Sequence, residues 1–506
     1  MLNWRKALGG LALAVTLACS PVAFAQDAPT TPAVAESPAA AQAAAPGGVA
    51  AAGGEEAVAA DSATAEAEAP APDKGDTTWM LISTVLVLLM IIPGLALFYG
   101  GLVRSKNMLS MLMQVSTTAA IGMLAWVFWG YSLSFTDGGG LNSFIGGMSK
   151  AGLLGVGVTN NVETFSNGVV IPELVFAAFQ MTFAAITAAL VLGALAERVK
   201  FAGVVVFAVL WPLLSYYPMA HMVWWWAGAT SAFGQTADDV IGGAGLIWAQ
   251  GALDFAGGTV VHINAGIAAL VGCLILGPRE GWRREPTPPH SLTLTLVGAG
   301  LLWVGWFGFN AGSNLEANGL TALAMINTAV ATAAAVLAWS FGEWMMRGHP
   351  SLLGGISGAI AGLVGVTPAA GFVGPMGAIA IGLIAGLVCM WFVISVKPRM
   401  GIDDSLDVFG IHGVGGIVGA ILTGVFAAPS LGGGGVFDYS TGEVGEYAMG
   451  AQVWNQTLGV IIAIVWSAVV SFIAIHIVKA LIGLRVSDSD ERQGLDVTTH
   501  GENAYN

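Results

Sequence analysis

The chain has 506 residues, of which 56% are hydrophobic and only 9% are charged. A soluble domain needs far more charge on its surface, so this composition excludes a soluble globular protein and indicates a polytopic membrane protein. The formal net charge of −14 says little about the membrane part, because much of it comes from acidic residues before residue 77.

Residues 1–25 predict a cleaved secretory signal peptide. Two basic residues, Arg5 and Lys6, precede an apolar run over 7–18, and Ala23-Phe24-Ala25 has the small-x-small pattern of a cleavage site. The mature N-terminus is therefore expected outside the cytoplasm.

The next segment, 26–77, consists mainly of Ala, Pro, Glu and Gly and has almost no aromatic residues. Such a segment cannot bury enough apolar surface to offset the entropy lost on ordering. We expect a disordered periplasmic tether.

Apolar runs of about 20 residues recur from Thr78 onward, and each is long enough for a helix that crosses a bilayer. The predicted spans are 79–101, 110–135, 171–195, 201–218, 256–276, 291–310, 319–342, 352–367, 376–396, 410–427 and 456–480. They predict an all-α integral membrane protein with eleven transmembrane helices over 78–482 and a cytoplasmic tail over 483–506.

Positively charged residues indicate the orientation of these spans. If the mature N-terminus is outside, the outer side holds only Lys74 and Lys150. The inner loops and the tail hold Arg104, Lys106, Arg198, Lys200, Arg279, Arg283, Arg284, Arg347, Lys397, Arg399, Lys479, Arg485 and Arg492. Such a bias predicts an N-terminus outside the cytoplasm and a cytoplasmic C-terminus.

The three cysteines form no disulfide or metal framework. Cys19 lies in the leader, where lipidation is an alternative to simple cleavage, but the residues before it make a poor lipobox. Cys273 and Cys389 lie inside apolar runs, and we expect both to be packing residues.

Glycines are spaced for close helix packing in two of the predicted spans. Gly354, Gly358 and Gly362 form one ladder of small residues, and Gly415 and Gly419 form another. Helix backbones can approach each other at such positions without side chains between them.

Two similar segments each place one histidine in an apolar, glycine-rich run. His262 and His412 are 150 residues apart (412 minus 262), and each is followed by x-x-x-Gly-Ile. Because the number of spans is odd, spans one to five and six to ten run in opposite senses, which predicts a five-plus-five inverted repeat with an extra C-terminal helix. Counting from the predicted span ends, both histidines lie toward the midplane, so the two imidazoles can face each other.

Ionisable residues inside a membrane usually face a pathway, and the repeat symmetry favours a pore role for His262 and His412. His221 is also in or near the membrane, whereas a lone histidine such as His476 is more often a helix-packing residue. Neither pore histidine has the spacing of a metal-binding helix. The sequence also lacks an activated nucleophile and a cofactor motif. We therefore expect a protein that is not an enzyme and has no metal ion or cofactor.

The predicted orientation gathers aromatic residues and a hydroxyl at the outer mouth: Phe179, Phe183, Trp306, Phe309, Ser313 and the run Trp224-Trp225-Trp226. Aromatic faces attract cations, and a hydroxyl accepts a hydrogen bond from an N–H cation. The alternative is an interfacial aromatic belt, to which we assign Trp225 and Trp226 mainly.

Asp254 lies just outside His262 in a run with few other polar groups. Two roles are open for it. It is either an ion ligand, or it caps the fifth helix by accepting backbone N–H bonds.

These residues resemble the ammonium transporter family (Amt/Mep/Rh), in its bacterial Amt branch, over roughly 78–506. The resemblance rests on AFQ at 178–180, ALAER at 194–198, AHMVW at 220–224, DFAGGTVVHINA at 254–265, GWFGFNAGS at 305–313, GEW at 342–344, DVFGIHG at 407–413 and GLDVTTHGEN at 494–503. The long tether and the tryptophans after Trp224 depart from the family, but neither touches these motifs.

The resemblance implies roles for the residues of the predicted pore. It implies an outer recruitment site of Trp224, Phe183 and Ser313 with Phe179 close by and Asp254 in support, an aromatic gate of Phe183 and Phe309, Trp306 lining the pore, and twin histidines His262 and His412. It also implies a homotrimer with one pore per subunit, a tail that couples subunits, and a PII-type signalling protein that binds the inner face.

The function expected from this resemblance is transport of ammonium, with methylammonium as an analogue and no nucleic-acid partner. The ion loses a proton at the mouth, and ammonia crosses the pore, either alone or with a separate proton relay. The alternative is an ammonium sensor with little flux, although the tail from Arg485 is too short for a kinase or cyclase domain.

Overall fold

The computed structural model describes residues 70–505, so the predicted signal peptide and nearly all of the predicted tether lie outside the described residues. Within 70–505 there are eleven apolar helices, of which ten have the length and composition to cross a membrane and one is shorter. They are α1 (Lys74–Leu102), α2 (Ser105–Phe135), α3 (Glu173–Leu195), α4 (Phe201–Trp224), α5 (Gly258–Leu276), α6 (Leu292–Gly312), α7 (Gly319–Arg347), α8 (Leu352–Val366), α9 (Pro375–Met400), α10 (Phe409–Phe426) and α11 (Met449–Ile482). The predicted all-α membrane fold, with two five-helix halves and an extra C-terminal helix, is confirmed.

The first helix begins earlier than predicted. It starts at Lys74, because the carboxylate of Asp73 accepts the backbone N–H groups of Gly75 (2.6 Å) and Asp76 (3.2 Å). A side chain that satisfies these free donors fixes a helix start. Helix α1 therefore begins at Lys74, before the predicted start of the first span at residue 79.

Two other helices are longer than predicted at their polar ends. Helix α4 continues past residue 218 to Trp224, and α11 begins at Met449 rather than at residue 456. Both added segments contain buried polar residues, such as His221 and Gln452, that interrupt the apolar pattern. These residues bond to other parts of the protein, so the helices extend beyond their apolar runs.

Short elements in three loops were not predicted. Strands β1 (Asn161–Glu163) and β2 (Val170–Pro172) pair antiparallel between α2 and α3, and β3 (Phe437–Asp438) and β4 (Glu443–Val444) pair between α10 and α11. Three short helices, Ala229–Ala232, Ala237–Gly242 and Leu246–Ala249, lie between α4 and α5.

These three loops contact one another. The N–H of Gly234 donates to the carbonyl oxygen of Ser440 (3.0 Å), and that of Leu246 donates to Ser143 (2.8 Å). They therefore meet at the face where α5 begins. We call it the outer face, after the orientation that the charge distribution predicts, and the opposite one the inner face.

The glycine ladders pack helices closely, as predicted. A Cβ atom on Gly362 would lie 2.6 Å from the Cβ of Ala335 on α7, and one on Gly419 would lie 2.2 Å from the carbonyl oxygen of Gly365 on α8. Only glycine permits these approaches, because no real Cβ contact is that short.

The same close packing explains the glycine that lies four residues after each of the two histidines of the repeat. A Cβ atom on Gly266 would lie 2.3 Å from the backbone nitrogen of Gly413, so α5 and α10 touch backbone to backbone at that point. On the other helix, a Cβ atom on Gly416 would lie 3.2 Å from the Cβ of His262. The repeated His-x-x-x-Gly pattern thus brings the two histidine-bearing helices into contact.

Ion pairs hold the loops of the inner face. Glu197 pairs with Arg104 and Arg279 at 2.9 Å each, and Arg279 also pairs with Asp403 at 2.8 Å. Burial alone raises the pKa of Glu197, but the two arginines outweigh it and lower that pKa to about 2.

The C-terminal tail packs against the same face. The carboxylate of Asp496 accepts the N–H groups of Leu109 (3.1 Å) and Ser110 (2.8 Å) in the first turns of α2, and Leu495 donates its N–H to the side chain of Asn107 (2.9 Å). The tail thereby caps a membrane helix.

Candidate functional site

The two histidines of the repeat meet in the interior. The Nδ1 atoms of His262 and His412 are 3.1 Å apart, and the ring centroids are 5.2 Å apart. Both side chains are buried, with exposures of 1% and 5%. The structure therefore brings together the pair that the sequence predicted to face each other.

Each histidine lies in a π-helical turn at the start of its helix, over Gly258–Ile263 in α5 and over Phe409–Gly413 in α10. Such turns are often found at functional sites. Here they place both rings at the crossing of the two helices.

A buried carboxylate holds the start of α5. Asp254 accepts four backbone N–H groups, those of Gly257 (2.9 Å) and Gly258 (2.6 Å) on one oxygen and those of Thr259 (2.8 Å) and Val260 (3.2 Å) on the other. Burial raises the pKa of Asp254, and these four donors oppose that rise. Of the two roles left open for Asp254, these contacts are those of a helix cap.

Asp404 has the same place in the second half, and sequence reasoning missed it. Its carboxylate accepts the N–H groups of Val408 (3.0 Å), Phe409 (2.8 Å) and Gly410 (3.4 Å), and burial raises its pKa to about 6 although Lys397 opposes this. Asp404 precedes His412 by eight residues, as Asp254 precedes its histidine (262 minus 254). That equal spacing was the available signal.

The contact between the imidazoles determines which ring atoms remain free to bond to another molecule. Because a neutral imidazole carries one N–H, an Nδ1 to Nδ1 hydrogen bond makes one ring the donor and the other the acceptor. The donor ring then has a free lone pair at Nε2, and the acceptor ring has an N–H there. The pair thus offers one acceptor and one donor, whichever ring carries which proton.

Stacked aromatic rings lie on the outer side of the histidines. The rings of Phe183 on α3 and Phe309 on α6 stack with centroids 4.1 Å apart and an angle of 18°, and both are fully buried. Phe179 contacts Phe183 edge to face at 4.9 Å. Trp306 stacks on His262 at 5.4 Å, and its Nε1 donates to the Thr367 hydroxyl at 2.9 Å.

Trp224 and Ser313 lie at the outer side of this gate. The Trp224 ring is half-buried, with its centroid 6.0 Å from that of Phe183, and its Nε1 donates to the carbonyl oxygen of Asp254 (3.0 Å). The Ser313 hydroxyl donates to the carbonyl of Phe309 (2.8 Å), so its oxygen lone pairs remain available to accept from a cation.

The space beside the histidines is small and apolar. A cavity of about 10 Å³ lies between the two imidazoles, Trp306 and Phe309, and the rest of its wall is made of aliphatic, methionine and phenylalanine side chains. That volume has room for about one molecule of the size of water. The two imidazoles are the polar groups within reach of a molecule at this position.

Comparison with known proteins agrees with this architecture. The family model described as Ammonium Transporter Family matches residues 78–505. The chain belongs to the ammonium transporter family. An ammonium transporter of Aquifex aeolicus is 48% identical over 86% of this chain and 94% of its own, and one of Bacillus subtilis is 44% identical over 85% and 98%.

Solved structures with the same fold include members of this family. The crystal structure of Saccharomyces cerevisiae Mep2 has a TM-score of 0.70 at 34% identity, covering 82% of this chain and 91% of that one. A protein described as Sensor Amt Protein has a TM-score of 0.72 at 27% identity, covering 84% and 98%. This chain is therefore a multi-pass membrane protein of a transport family.

Other residues considered from the sequence lie away from the two facing histidines of this ammonium transporter family member. Both ring nitrogens of His221 bond to backbone carbonyls, and His476 bonds to the carbonyl of Phe472 on the exposed side of α11. His476 is thus satisfied within its own helix but does not pack between helices. Cys273 and Cys389 are buried.

The two tryptophans after Trp224, which the sequence assigns mainly to an interfacial belt, contact other aromatic side chains of the protein. Trp225 stacks on His221 at 5.6 Å, and Trp226 packs on Tyr439 at 4.4 Å and on Trp248 at 5.4 Å. They fix the loop that follows α4.

Within residues 70–505, His, Cys, Asp and Glu form no group of three or more with metal-binding geometry.

Proposed function

We propose that this protein conducts ammonium from the periplasm across the inner membrane as ammonia, after deprotonation at the outer mouth. The observation that carries the proposal is the His262–His412 contact of 3.1 Å, which lies behind the stacked rings of Phe183 and Phe309. A pore with this order of groups excludes water at the gate and offers hydrogen bonds beyond it.

Recruitment of the cation takes place at Trp224, Phe183 and Ser313. The two aromatic faces attract a cation by about 0.5–2 kcal/mol each, and the Ser313 oxygen accepts one of its N–H groups. Phe179 supports the Phe183 ring. The buried charge of Asp254 contributes negative potential, but its oxygens already accept four backbone N–H groups and so do not take the proton.

The energetic cost of losing the proton before passage is low enough for this route to be open. Stripping a bare ammonium ion of its hydration in an apolar tube costs several kcal/mol even after relaxation. Deprotonating an amine with a pKa of about 10.4 at pH 7 costs roughly 4.6 kcal/mol. The two costs are similar, so deprotonation competes with passage of the intact ion.

Ammonia then passes the imidazole pair. Its lone pair accepts from the Nε2–H of one ring, and one of its N–H groups donates to the bare Nε2 of the other. Trp306 forms part of the wall at this position. The proton either stays outside or is relayed separately along the two rings. Potassium has no proton to lose and is excluded.

The assembly proposed from the family is a homotrimer with one pore per subunit. The mature N-terminus is periplasmic, and the tail that caps α2 is cytoplasmic. A PII-type signalling protein binds the inner face. Exposed apolar side chains on the outer surface of the helices, such as Val85, Leu124 and Leu337, suit contact with lipid or neighbouring subunits.

The decisive experiment measures methylammonium uptake and ammonium-dependent current in proteoliposomes. The unmodified protein should take up methylammonium and not potassium. His262→Ala combined with His412→Ala should abolish uptake or alter its selectivity, whereas His476→Ala, which removes an exposed histidine of α11, should change neither. Unchanged flux and selectivity in the double variant would refute the mechanism.

The same measurements separate the proposal from its alternatives. A current that scales with uptake indicates a relayed proton or an ion, whereas uptake without current indicates ammonia alone. Binding of ammonium without uptake by the unmodified protein would favour a sensor that signals through its tail.

A further inference from the structure

The eleventh helix, which belongs to neither half of the repeat, contacts the outer mouth through one buried side chain. Gln456 on α11 is 2% exposed. Its Oε1 accepts the backbone N–H of Leu253 (2.5 Å), and its Nε2 donates to the carbonyl oxygen of the same residue (2.9 Å). The carboxamide thereby holds the backbone on both sides of the residue before Asp254.

The same carboxamide contacts the second half of the repeat. Its Nε2 also donates to the carbonyl of Ala420 (2.8 Å) on α10, the helix that carries His412. Its Oε1 also accepts from the side chain of Gln452 (3.3 Å), which in turn donates to the carbonyl of Gly251 (2.8 Å).

Every hydrogen-bonding site of Gln456 is therefore used. A carboxamide has two N–H donors and an oxygen that accepts two bonds, and all four are paired. The orientation of the amide follows from its partners, because the two carbonyl oxygens that face Nε2 can only accept. No other natural side chain of this length provides two donors and an acceptor in one plane.

Close helix contacts fix this arrangement. A Cβ atom on Gly424 of α10 would lie 3.0 Å from the Cγ of Gln456, and one on Gly459 of α11 would lie 3.0 Å from the Cβ of Ala252. The eleventh helix thus lies tightly against both the loop before α5 and the end of α10, and Gln456 has little freedom to move.

We infer that Gln456 is a positioning residue for the outer recruitment site. It fixes Leu253, and therefore the next residue, Asp254, whose carbonyl holds the Trp224 ring at 3.0 Å and whose carboxylate begins the helix of His262. This inference rests on the proposed function, since it assigns Gln456 to the mouth at which ammonium is bound.

The test is methylammonium uptake by proteoliposomes containing Gln456→Met, a side chain of similar length without polar atoms. Loss of the bonds to Leu253 releases Trp224, so KM should rise about tenfold while the maximal rate stays within about twofold. Gln456→Glu should raise KM at least as much, because a carboxylate oxygen then faces two carbonyl oxygens. Gln452→Met keeps both bonds between Gln456 and Leu253, so it should raise KM less than Gln456→Met does. It is the variant to measure if Gln456→Met does not fold.

A double-variant measurement separates positioning from a general loss of stability. Trp224→Phe keeps a ring but removes the N–H that bonds Asp254, so its effect on KM should not multiply with that of Gln456→Met. Ser471→Ala is the matched control, because Ser471 lies on the same helix as Gln456 and bonds to the buried Trp211 of α4. Ser471 is about 22 Å from Gln456 along that helix. Ser471→Ala should leave KM unchanged.

Three results overturn the inference alone. They are a KM within about twofold of normal in both Gln456 variants, an equal rise of KM in Ser471→Ala, and effects of Gln456→Met and Trp224→Phe that multiply. Absence of uptake by the unmodified protein overturns the proposed function and this inference with it.

Discussion

Asp254→Asn tests whether the helix that carries His262 depends on its carboxylate cap. Each carboxylate oxygen accepts two backbone N–H groups. The carboxamide keeps one oxygen and turns an NH₂ group toward the other two donors, which are buried. An unpaired buried donor costs about 1–3 kcal/mol, so two cost about 2–6 kcal/mol. Loss of the charge at a helix N-terminus removes up to about 2 kcal/mol more.

The assay is thermal unfolding of the purified protein together with methylammonium uptake. We expect a lower unfolding midpoint and a loss of uptake that persists below that midpoint, because α5 no longer holds the His262 ring against its partner. Asp438→Asn is the control, since that carboxylate bonds to Ser440 (2.9 Å to its N–H) in an exposed hairpin. Normal unfolding and normal uptake in Asp254→Asn would refute the capping argument.

Three other outcomes are expected. Gly266→Ala places a Cβ atom 2.3 Å from the backbone of Gly413, so it should lower the free energy of unfolding by about 1–3 kcal/mol and also reduce uptake. Gly300→Ala, whose Cβ atom meets nothing within 4 Å, should change neither. The carboxylate of Glu197 should contribute about 3 kcal/mol of stability above pH 4.5, because its pKa is depressed from 4.5 to about 2. This contribution is lost as the pH falls toward 2, and unfolding midpoints measured against pH should show the loss. In Glu197→Gln this pH dependence should be absent. Phe309→Ala opens the stacked gate, so uptake assays should detect potassium entry.

The sequence was sufficient to predict the membrane fold and the central pair. Long apolar runs must form helices in lipid, since every backbone group there needs an internal partner. An odd number of spans and a repeated histidine pattern then place His262 and His412 in opposed helices. Their separation of 3.1 Å follows from the glycines at 266 and 413, whose contact a sequence pattern indicates but does not measure.

Other features depend on contacts between distant segments and were missed. The partners of Gln456 are Leu253 and Ala420, which lie 203 and 36 residues away. No local period records such a pairing. The early start of α1 at Lys74 depends on one capping residue inside a segment that otherwise has the composition of a linker. Asp404 is different, because the sequence alone shows that it precedes His412 by as many residues as Asp254 precedes His262.

The caps of the two histidine-bearing helices have different partners, although the repeat makes the arrangement between them nearly symmetric. Asp254 and Asp404 cap their helices in the same way, eight residues before their histidines. At the inner end, however, the Lys397 Nζ donates to the carbonyl of Asp404 (3.2 Å) and pairs with the side chain of Asp407. At the outer end the carbonyl of Asp254 bonds instead to Trp224. The inner cap is therefore joined to an ammonium group that is already paired with a carboxylate, whereas the outer cap is joined to an aromatic ring. Under the proposed mechanism, we therefore expect the preference for recruiting ammonium at the outer mouth to come from the partners of these two caps, and not from the histidines between them.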